Sequence, residues 1–310
     1  MLAAEIVSAQ GIDVLAVCFE TPFFSSNKAR KSARSLDLPF KVMDITKRHL
    51  DVVKHPRHGY GGNMNPCIDC HALMFKIAGE RLEKERAEFV LTGEVLGQRP
   101  MSQNKKSLSL VASESGLAGL LLRPLSAKCL PMTIPEKKGW VKRDLLLDFQ
   151  GRSRKPQIDL AQRLGIKEYP SPAGGCLLTE EVFSRRLKDL FSSQSDFDLK
   201  DIELLKLGRH FRISPHSKIV VGRNKDENET IRALSRPKHL VLTSMSVPGP
   251  TVLFSGHFSP ASLELAAAIT VAYSDLGDSP TSAVRIVGGS EDRTVTTNRH
   301  KKEEFKRYMI

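Results

Sequence analysis

The sequence predicts an α/β protein: a doubly wound parallel sheet followed by a smaller α+β domain. Three observations carry this. Apolar strand-sized runs alternate with helical patterns through the first 125 residues, the signature of βαβ units. The strand at residues 12–19 (IDVLAVCF) is almost continuously apolar, as a strand buried on both faces must be. After about residue 200 the pattern shifts to short runs separated by turn residues, which suits a hairpin-rich fold.

The elements follow in order. Residues 2–10 read as a helix ended by Gly11, and residues 12–19 as the first strand. A basic helix over 27–36 leads to a strand over 39–43 that ends at Asp44. A helix over 72–84 precedes the strand 88–92 (EFVLT), which runs into Gly93. Residues 102–113 are helical and 119–123 form the next strand. In such sheets ligands bind at the carboxyl ends of the strands, where Thr21, Asp44 and Thr92-Gly93-Glu94 lie. Helices over 157–164 and 180–191 flank a Pro/Gly-rich loop that ends at Cys176. The polar stretch 192–203 is the expected linker. Residues 204–289 form the second domain, with a hairpin from 205–213 and 218–222, strands at 240–243 and 251–254, and an apolar helix at 263–273. Residues 290–310 are expected to be a basic tail, frayed or disordered.

The chain has 310 residues, 40% of them apolar and 26% charged, which excludes a disordered chain and allows a sizeable core. No apolar run approaches the ~18–20 residues of a membrane helix, and Glu5 stands where a secretory signal needs cations. A cytoplasmic protein without a membrane partner is the expectation. The 47 Lys+Arg against 35 Asp+Glu leave a net charge of +12, which points to a polyanionic partner, most simply nucleic acid, or to an ordinary basic enzyme.

Five cysteines in such a chain do not make a disulfide framework. Cys67 and Cys70 form a C-x-x-C string between a Gly/Asn/Pro-rich loop and a helix, where backbone N–H groups and the helix dipole favour thiolates. Four chemistries compete for these thiols: a redox pair, haem attachment through C-x-x-C-His71, structural zinc with His71 and Cys176, and three thiolates from Cys67, Cys70 and Cys176 around an iron–sulfur cluster or a sulfur-transfer site. Plain unligated thiols are the fifth possibility.

Longer strings choose among these. Asn65-Pro66-Cys67-Ile68-Asp69-Cys70-His71 through Lys76 resembles the cysteine motif of the tRNA thiouridine synthases. Thr92-Gly93-Glu94-Val95-Leu96-Gly97-Gln98 with Ser102-Gln103 is similar to the nucleotide-side motif of the 4-thiouridine branch, and Pro172-Ala173-Gly174-Gly175-Cys176 to the loop that carries a second reactive cysteine. Residues 1–180 therefore resemble the PP-loop ATP pyrophosphatases that thiolate tRNA, and residues 204–280 resemble an NFACT-type RNA-binding domain. The resemblance implies an adenine nucleotide alpha-hydrolase-like fold and the cofactors ATP and Mg2+, with a [4Fe-4S] cluster as an option. The partners it implies are tRNA and a sulfur donor, a persulfide protein or sulfide. ATP would adenylate a uracil oxygen, sulfur would attack the carbon, and AMP would depart.

By position, Cys70 and Cys176 are the sulfur-handling pair, and Cys67, Cys70 and Cys176 the cluster ligands. Asp69 is a candidate acid/base, or a solvated acid at the helix start. Thr92, Gly93 and Glu94 would line the nucleotide, with Gln98, Ser102 and Arg154 in support; Arg152 and Lys155 extend a basic patch that suits ATP or tRNA phosphates. Lys206, Arg209, Arg212, Lys218 and Arg223 crowd the predicted hairpin and are the expected RNA contacts. Strand alternation would place Lys206, His210 and Arg212 on one face and Arg209 on the other, with Phe211 between them as a core residue or a base-stacking ring.

One family feature is expected and not seen. Met1–Val7 matches the helix just past the Ser-Gly-Gly-x-Asp-Ser pyrophosphate loop, so the first strand is missing from the sheet. A start assigned at an internal Met, with roughly 10–15 residues upstream, explains this; the alternative is a true loss of the loop and of ATP chemistry. Three functions stand against each other: a tRNA sulfurtransferase, a non-catalytic RNA-binding protein on the same scaffold, and an ATP-dependent sulfur carrier acting on a small molecule.

Overall fold

The computed structural model describes residues 1–169, 175–194, 196–289 and 291–310, which divide into two compact units, Met1–Thr179 and Glu180–Ile310.

The first unit runs α1 (Leu2–Ser8), β1 (Ala16–Glu20), α2 (Asn27–Ser35), β2 (Phe40–Asp44), α3 (Thr46–Lys54), α4 (Cys67–Gly79), α5 (Leu82–Glu85), β3 (Val90–Leu91), α6 (Lys105–Glu114), β4 (Leu121–Leu122), α7 (Ile134–Lys137) and α8 (Lys155–Arg163). Its strands are parallel, as βαβ alternation requires, but they make two separate two-stranded sheets, β1–β2 and β3–β4. The continuous doubly wound sheet is therefore not formed among the described residues. The physical reason lies in ladder length. β3 and β4 share only the pairs Val90↔Leu121 and Leu91↔Leu122, and β1 pairs with β2 alone. The core beneath is built from Val7, Leu122, Ala127, Val141 and Leu146, with Ile12, Val14, Phe89 and Leu91 packed against them.

The second unit runs α9 (Glu181–Ser193), α10 (Leu199–Leu205), β5 (Arg209–Ser214), β6 (Ser217–Val221), α11 (Lys225–Ala233), β7 (Leu240–Ser244), β8 (Val252–Gly256), α12 (Pro260–Ala272), β9 (Thr281–Gly288), β10 (Glu291–Asn298) and a 3-10 turn, Lys302–Tyr308. Six strands form one antiparallel sheet in the order β10-β9-β7-β8-β6-β5. The expected hairpin is present, with Arg209 opposite Val221 and Arg212 opposite Lys218.

α12 starts at a capping box made by Ser259 and Ser262, with Pro260 at the first helical position, a strong start signal. It is apolar on nearly every side because it is enclosed. Leu263, Ala266, Ala267, Ile269 and Val271 pack with Phe211, Ile219, Leu242, Phe254, Val284 and Ile286 of the sheet. Leu204, Val220, Ile231 and Leu253 cluster with Leu207, Leu234 and Val241, so α10 and α11 pack on sheet residues of the opposite parity.

Three expectations about organisation differ from the structure. The stretch 192–203 is not a bare linker: Asp198 caps α10 by accepting from the backbone N–H groups of Lys200 and Asp201, at 2.8 and 3.3 Å. α9 belongs to the second unit instead of closing the first. The 290–310 segment is structured among its described residues. β10 pairs with β9 along its length, Phe305 is buried in the core, and the Ile310 N–H donates to His210 O at 3.0 Å.

Candidate functional site

Cys67 is the first residue of α4 and Cys70 ends its first turn. A separation of three residues puts both thiols on one helix face. The helix start is fixed by Asp69, which is buried and accepts the backbone N–H groups of Arg57 and His58, both at 3.1 Å. Both carboxylate oxygens are thus committed to the preceding loop, and Asp69 positions that loop instead of lying free for proton transfer.

Cys176 comes from the far end of the unit. The Pro172–Gly174 part of its motif lies outside the described residues, but Cys176 itself and the segment after it are held in place. The Leu177 N–H donates to Phe23 O at 2.9 Å, and Asn63 Nδ2 donates to Thr179 O at 2.8 Å. Cys176 and Cys70 lie within electrostatic reach of each other, and Cys67 reaches both.

Burial, not the helix dipole, sets the thiol chemistry. Desolvation pushes the Cys70 thiol well above its usual value, and the neighbouring Cys176, Cys67 and Asp69 add to the shift. Burial likewise pushes Cys176 up to about 11, against a lowering influence from the Leu178 and Thr179 backbone groups. This corrects the expectation that the loop-to-helix junction lowers the thiol pKa: a dipole contribution of about 0.3–1 kcal/mol is smaller than the desolvation of a buried thiolate.

Two neighbours with no role assigned from sequence complete the site. His49 Nε2 lies 3.2 Å from Cys70 Sγ, and Asn65 Nδ2 donates to Cys67 Sγ at 3.1 Å. His49 is fully buried on α3 against Phe23 and Phe24, at ring distances of 5.6 and 5.3 Å. Burial drops its pKa to about 4, so the ring is neutral at pH 7. Asn65 opens the cysteine motif string, though without an assigned role; His49 belongs to no motif, and α3 itself was not anticipated.

Glu94 turns inward. His71 Nδ1 lies 3.0 Å from one of its oxygens and Arg123 Nε donates to the other at 2.9 Å. Both members of the Glu94–Arg123 pair are buried, with side-chain exposures of 5% and 7%. Burial alone would raise the Glu94 carboxyl; the His71 and Arg123 contacts override it and hold it below its usual value. Glu94 is therefore a structural anchor joining α4 to the segment after β3. His71 is engaged with it through Nδ1.

The remaining nucleotide-side residues divide. Gly93 and Arg154 line one cavity of about 190 Å³, shared with Met1, Leu2, Ala3, Leu125, Gln157, Ile158, Ala161, Ile166 and Tyr169. Gln98 reaches the same place indirectly, donating to Gln157 Oε1 at 2.7 Å. A Cβ on Gly93 would meet open space. The volume is below the ~300–1,000 Å³ of a whole small-ligand pocket and suits a group of nucleobase size. Thr92 extends β3 through its N–H to Leu122 O at 3.0 Å, while Ser102 is buried; neither lines the cavity.

Among the described residues, no three His, Cys, Asp or Glu side chains converge on a single metal position. The zinc arrangement thus lacks its ligand set. Three separated thiols are compatible with a larger group that takes one thiolate per iron.

In the second unit four of the five expected RNA contacts are already engaged by three carboxylates. Lys206 bonds Glu203 at 2.6 Å. Arg212 grips Asp189 through two bonds of 2.9 and 2.7 Å, and the buried Lys218 bonds the same carboxylate at 2.9 Å. Arg223 pairs with Glu227. Asp189 was not anticipated, because an ion pair between distant elements leaves no pattern in sequence; Arg223–Glu227 is an i,i+4 pair that the spacing does show. Within β5 the strand alternation is as expected: His210 and Arg212 face away from α12, while Phe211 is buried against it and Arg209 lies 5.0 Å over the Tyr273 ring. Lys206 does not share their face: the first strand of the hairpin starts at Arg209, not 205, and Lys206 is the C-cap of α10.

Comparison with known proteins adds three findings. Residues 208–309 match the NFACT protein RNA binding domain family. A tRNA-specific 2-thiouridylase, MnmA, from Karelsulcia muelleri (strain GWSS) is 28% identical over 117 residues, 34% of this chain and 30% of the relative. The chain therefore matches under a third of that relative's length. The C-terminal part of the fibronectin/fibrinogen-binding protein from Streptococcus suis (FBPS) superposes with a TM-score of 0.29 at 14% identity, over 78% of this chain and 99% of that one; a superposition this loose carries no argument. No helix among the described residues is long and apolar enough to cross a membrane.

Proposed function

We propose that this protein is an ATP-dependent tRNA sulfurtransferase that replaces a uridine carbonyl oxygen with sulfur. One observation carries the reading: Cys70 and Cys176, remote in sequence, share one partly buried site with Cys67, within electrostatic reach of one another. The partial similarity to a tRNA-specific 2-thiouridylase and the match to an RNA binding domain support it.

The chemistry balances as follows. The uracil oxygen attacks the α-phosphate of ATP and pyrophosphate leaves. A persulfide donor passes its outer sulfur to Cys176 and leaves as a thiol, and the outer sulfur of that Cys176 persulfide attacks the activated carbon. The C–O bond breaks and AMP carries the oxygen away; Cys70 then attacks the S–S bond, which frees the thiouridine and leaves a Cys70–Cys176 disulfide for an external thiol to reduce. The cavity at Gly93 and Arg154 is the place for the adenine end of ATP, with Arg154 supplying positive charge nearby. Mg2+ would arrive on the ATP phosphates, since it needs few protein ligands. If a [4Fe-4S] cluster is used, Cys67, Cys70 and Cys176 would hold three of its irons, and the cluster would supply an open iron able to bind sulfide. His49 and Asn65, both in contact with the sulfurs, fix their orientation.

A second reading, a non-catalytic RNA-binding protein on this scaffold, is favoured by the raised pKa of both thiols, which keeps them protonated at neutral pH. Incubation with unmodified tRNA, ATP and a sulfur donor separates the two. AMP and thiouridine formed together support the transferase; RNA binding without either product supports the alternative.

A further inference from the structure

We infer that the RNA-phosphate contacts of the second unit are made by its closing 3-10 turn, Lys302–Tyr308, together with Arg209 and Tyr273, and not by the hairpin cations as a group. This rests on the reading that the unit binds RNA.

The argument concerns which cations still carry usable charge. A lysine or arginine paired with a carboxylate has no net charge to offer a phosphate. Lys206 and Arg223 each have a carboxylate of their own, and Arg212 and Lys218 share one, Asp189, so the four keep a single net charge between them, on a cluster in which Lys218 is buried. A cation resting on an aromatic ring keeps its full charge, because the ring supplies a quadrupole and no counter-charge. Arg209 Cζ and Lys302 Nζ both sit over the Tyr273 ring, at 5.0 and 5.3 Å. Arg307 Cζ sits 4.7 Å over Tyr308 and donates to its hydroxyl at 2.8 Å. Among the described residues, none of Arg209, Lys302, Lys306 and Arg307 has a carboxylate partner. Lys302, Lys306 and Arg307 are exposed.

The platform is fixed in advance. Tyr273 packs edge-on against Phe211 at 5.9 Å. The turn is pinned below by Phe305 in the core and by the bridge between Met309 and Phe211. Two carboxylates share the turn. Glu304 is occupied by His300 at 3.1 Å and by the Lys301 N–H at 2.7 Å; Glu303, near Tyr273, remains as the one opposing charge. Rings that hold side chains rigidly reduce the ordering cost of binding, and a row of fixed cations is what a polyphosphate backbone requires.

The test is tRNA binding by the full chain, followed by fluorescence anisotropy with one labelled, unmodified tRNA transcript across a salt series. Counterion release gives a log–log slope of about 0.7–0.9 per phosphate contact, or about 4–6-fold in affinity per contact near 0.15 M salt. The variant K302Q/K306Q/R307Q should therefore bind about 50–200-fold more weakly and flatten the salt slope by about 2–3. The charge-preserving K302R/K306R/R307K should bind within about 3-fold of wild type, and K206Q/R223Q within about 2-fold. If wild type binds steeply with salt and K302Q/K306Q/R307Q binds equally well, this interface is wrong while the RNA reading stands. The same holds if K206Q/R223Q is the variant that loses binding. If wild type does not bind tRNA at all, the RNA reading itself falls, and the interface with it.

Discussion

Glu94→Gln is the most informative single substitution in the first unit. It keeps shape and removes one charge, which leaves Arg123, 7% exposed, without its partner at 2.9 Å and weakens the contact to His71. Breaking a buried ion pair by removing one member costs about 3–5 kcal/mol, because the remaining charge stays desolvated. At a urea m-value of about 2 kcal/mol/M the denaturation midpoint should fall by about 1.5–2.5 M. Trp140 is the sole tryptophan and lies in this unit, so its fluorescence follows the relevant transition without interference from the other unit. Glu94→Leu combined with Arg123→Met should recover much of the loss, since replacing both charges by apolar groups is often neutral. The sign with pH is also set. The Glu94 carboxyl is held below its usual 4.5, so the stability it contributes is present above that value and disappears as pH falls through the folded-state pKa. If Glu94→Gln leaves the midpoint unchanged but abolishes ATP use, Glu94 is a nucleotide ligand and the structural assignment is wrong.

Three further outcomes are expected. Asp189→Asn should destabilise the second unit by about 2–4 kcal/mol in a denaturant titration, because Lys218 is buried and loses its carboxylate; an unchanged midpoint would refute the anchoring role. The second unit should also weaken in acid. Burial, aided by Arg236 and Lys238, holds His239 down at about 4 against its usual 6.5, and burial drives His210 well below 6.5. The unfolded chain binds protons there that the folded chain refuses, so stability is lost as pH falls from about 6.5 toward 4, by about 3 kcal/mol from His239 alone; a flat stability profile across that window would contradict it. Finally, Cys70→Ser and Cys176→Ser should each reduce thiouridine formation to background while tRNA affinity stays within about 2-fold, read by nucleoside mass spectrometry and anisotropy on the same preparations.

The sequence made some of this legible and hid the rest for identifiable reasons. The β1 and β2 strands announced themselves through apolar runs, and the β5–β6 hairpin through Ser214-Pro215-His216-Ser217, because periodicity and turn chemistry are local signals. The run at 12–19 did not mean burial on both faces: β1 covers only Ala16–Glu20 and none of its residues is buried, since it pairs with β2 alone. The cysteine set was legible as residue types, and the structure does draw Cys67, Cys70 and Cys176 into mutual reach. Its electrostatics were not: a helix start suggested activated thiols, whereas desolvation raises the Cys70 and Cys176 thiols and keeps those two protonated. His49, Asn65, Arg123 and Asp189 escaped notice because contacts between elements leave no trace in spacing. α10 was hidden inside a polar stretch, although Asp198 was its cap. β10 and the closing turn read as a tail because their strand faces and cations are exposed; one buried residue, Phe305, anchors the turn, and a single apolar position carries no period. The parallel sheet was inferred from alternation, which fixes strand direction but not which strands pair.

The central claim is tested most directly by giving the native protein, isolated anaerobically from its own cells, an unmodified tRNA with ATP and a sulfide or persulfide donor, then digesting the tRNA and measuring thiouridine against AMP. The account predicts one AMP for each thiouridine, with both products lost in Cys176→Ser. Tight tRNA binding with no thiouridine and no ATP turnover would contradict it and leave an RNA-binding protein in its place.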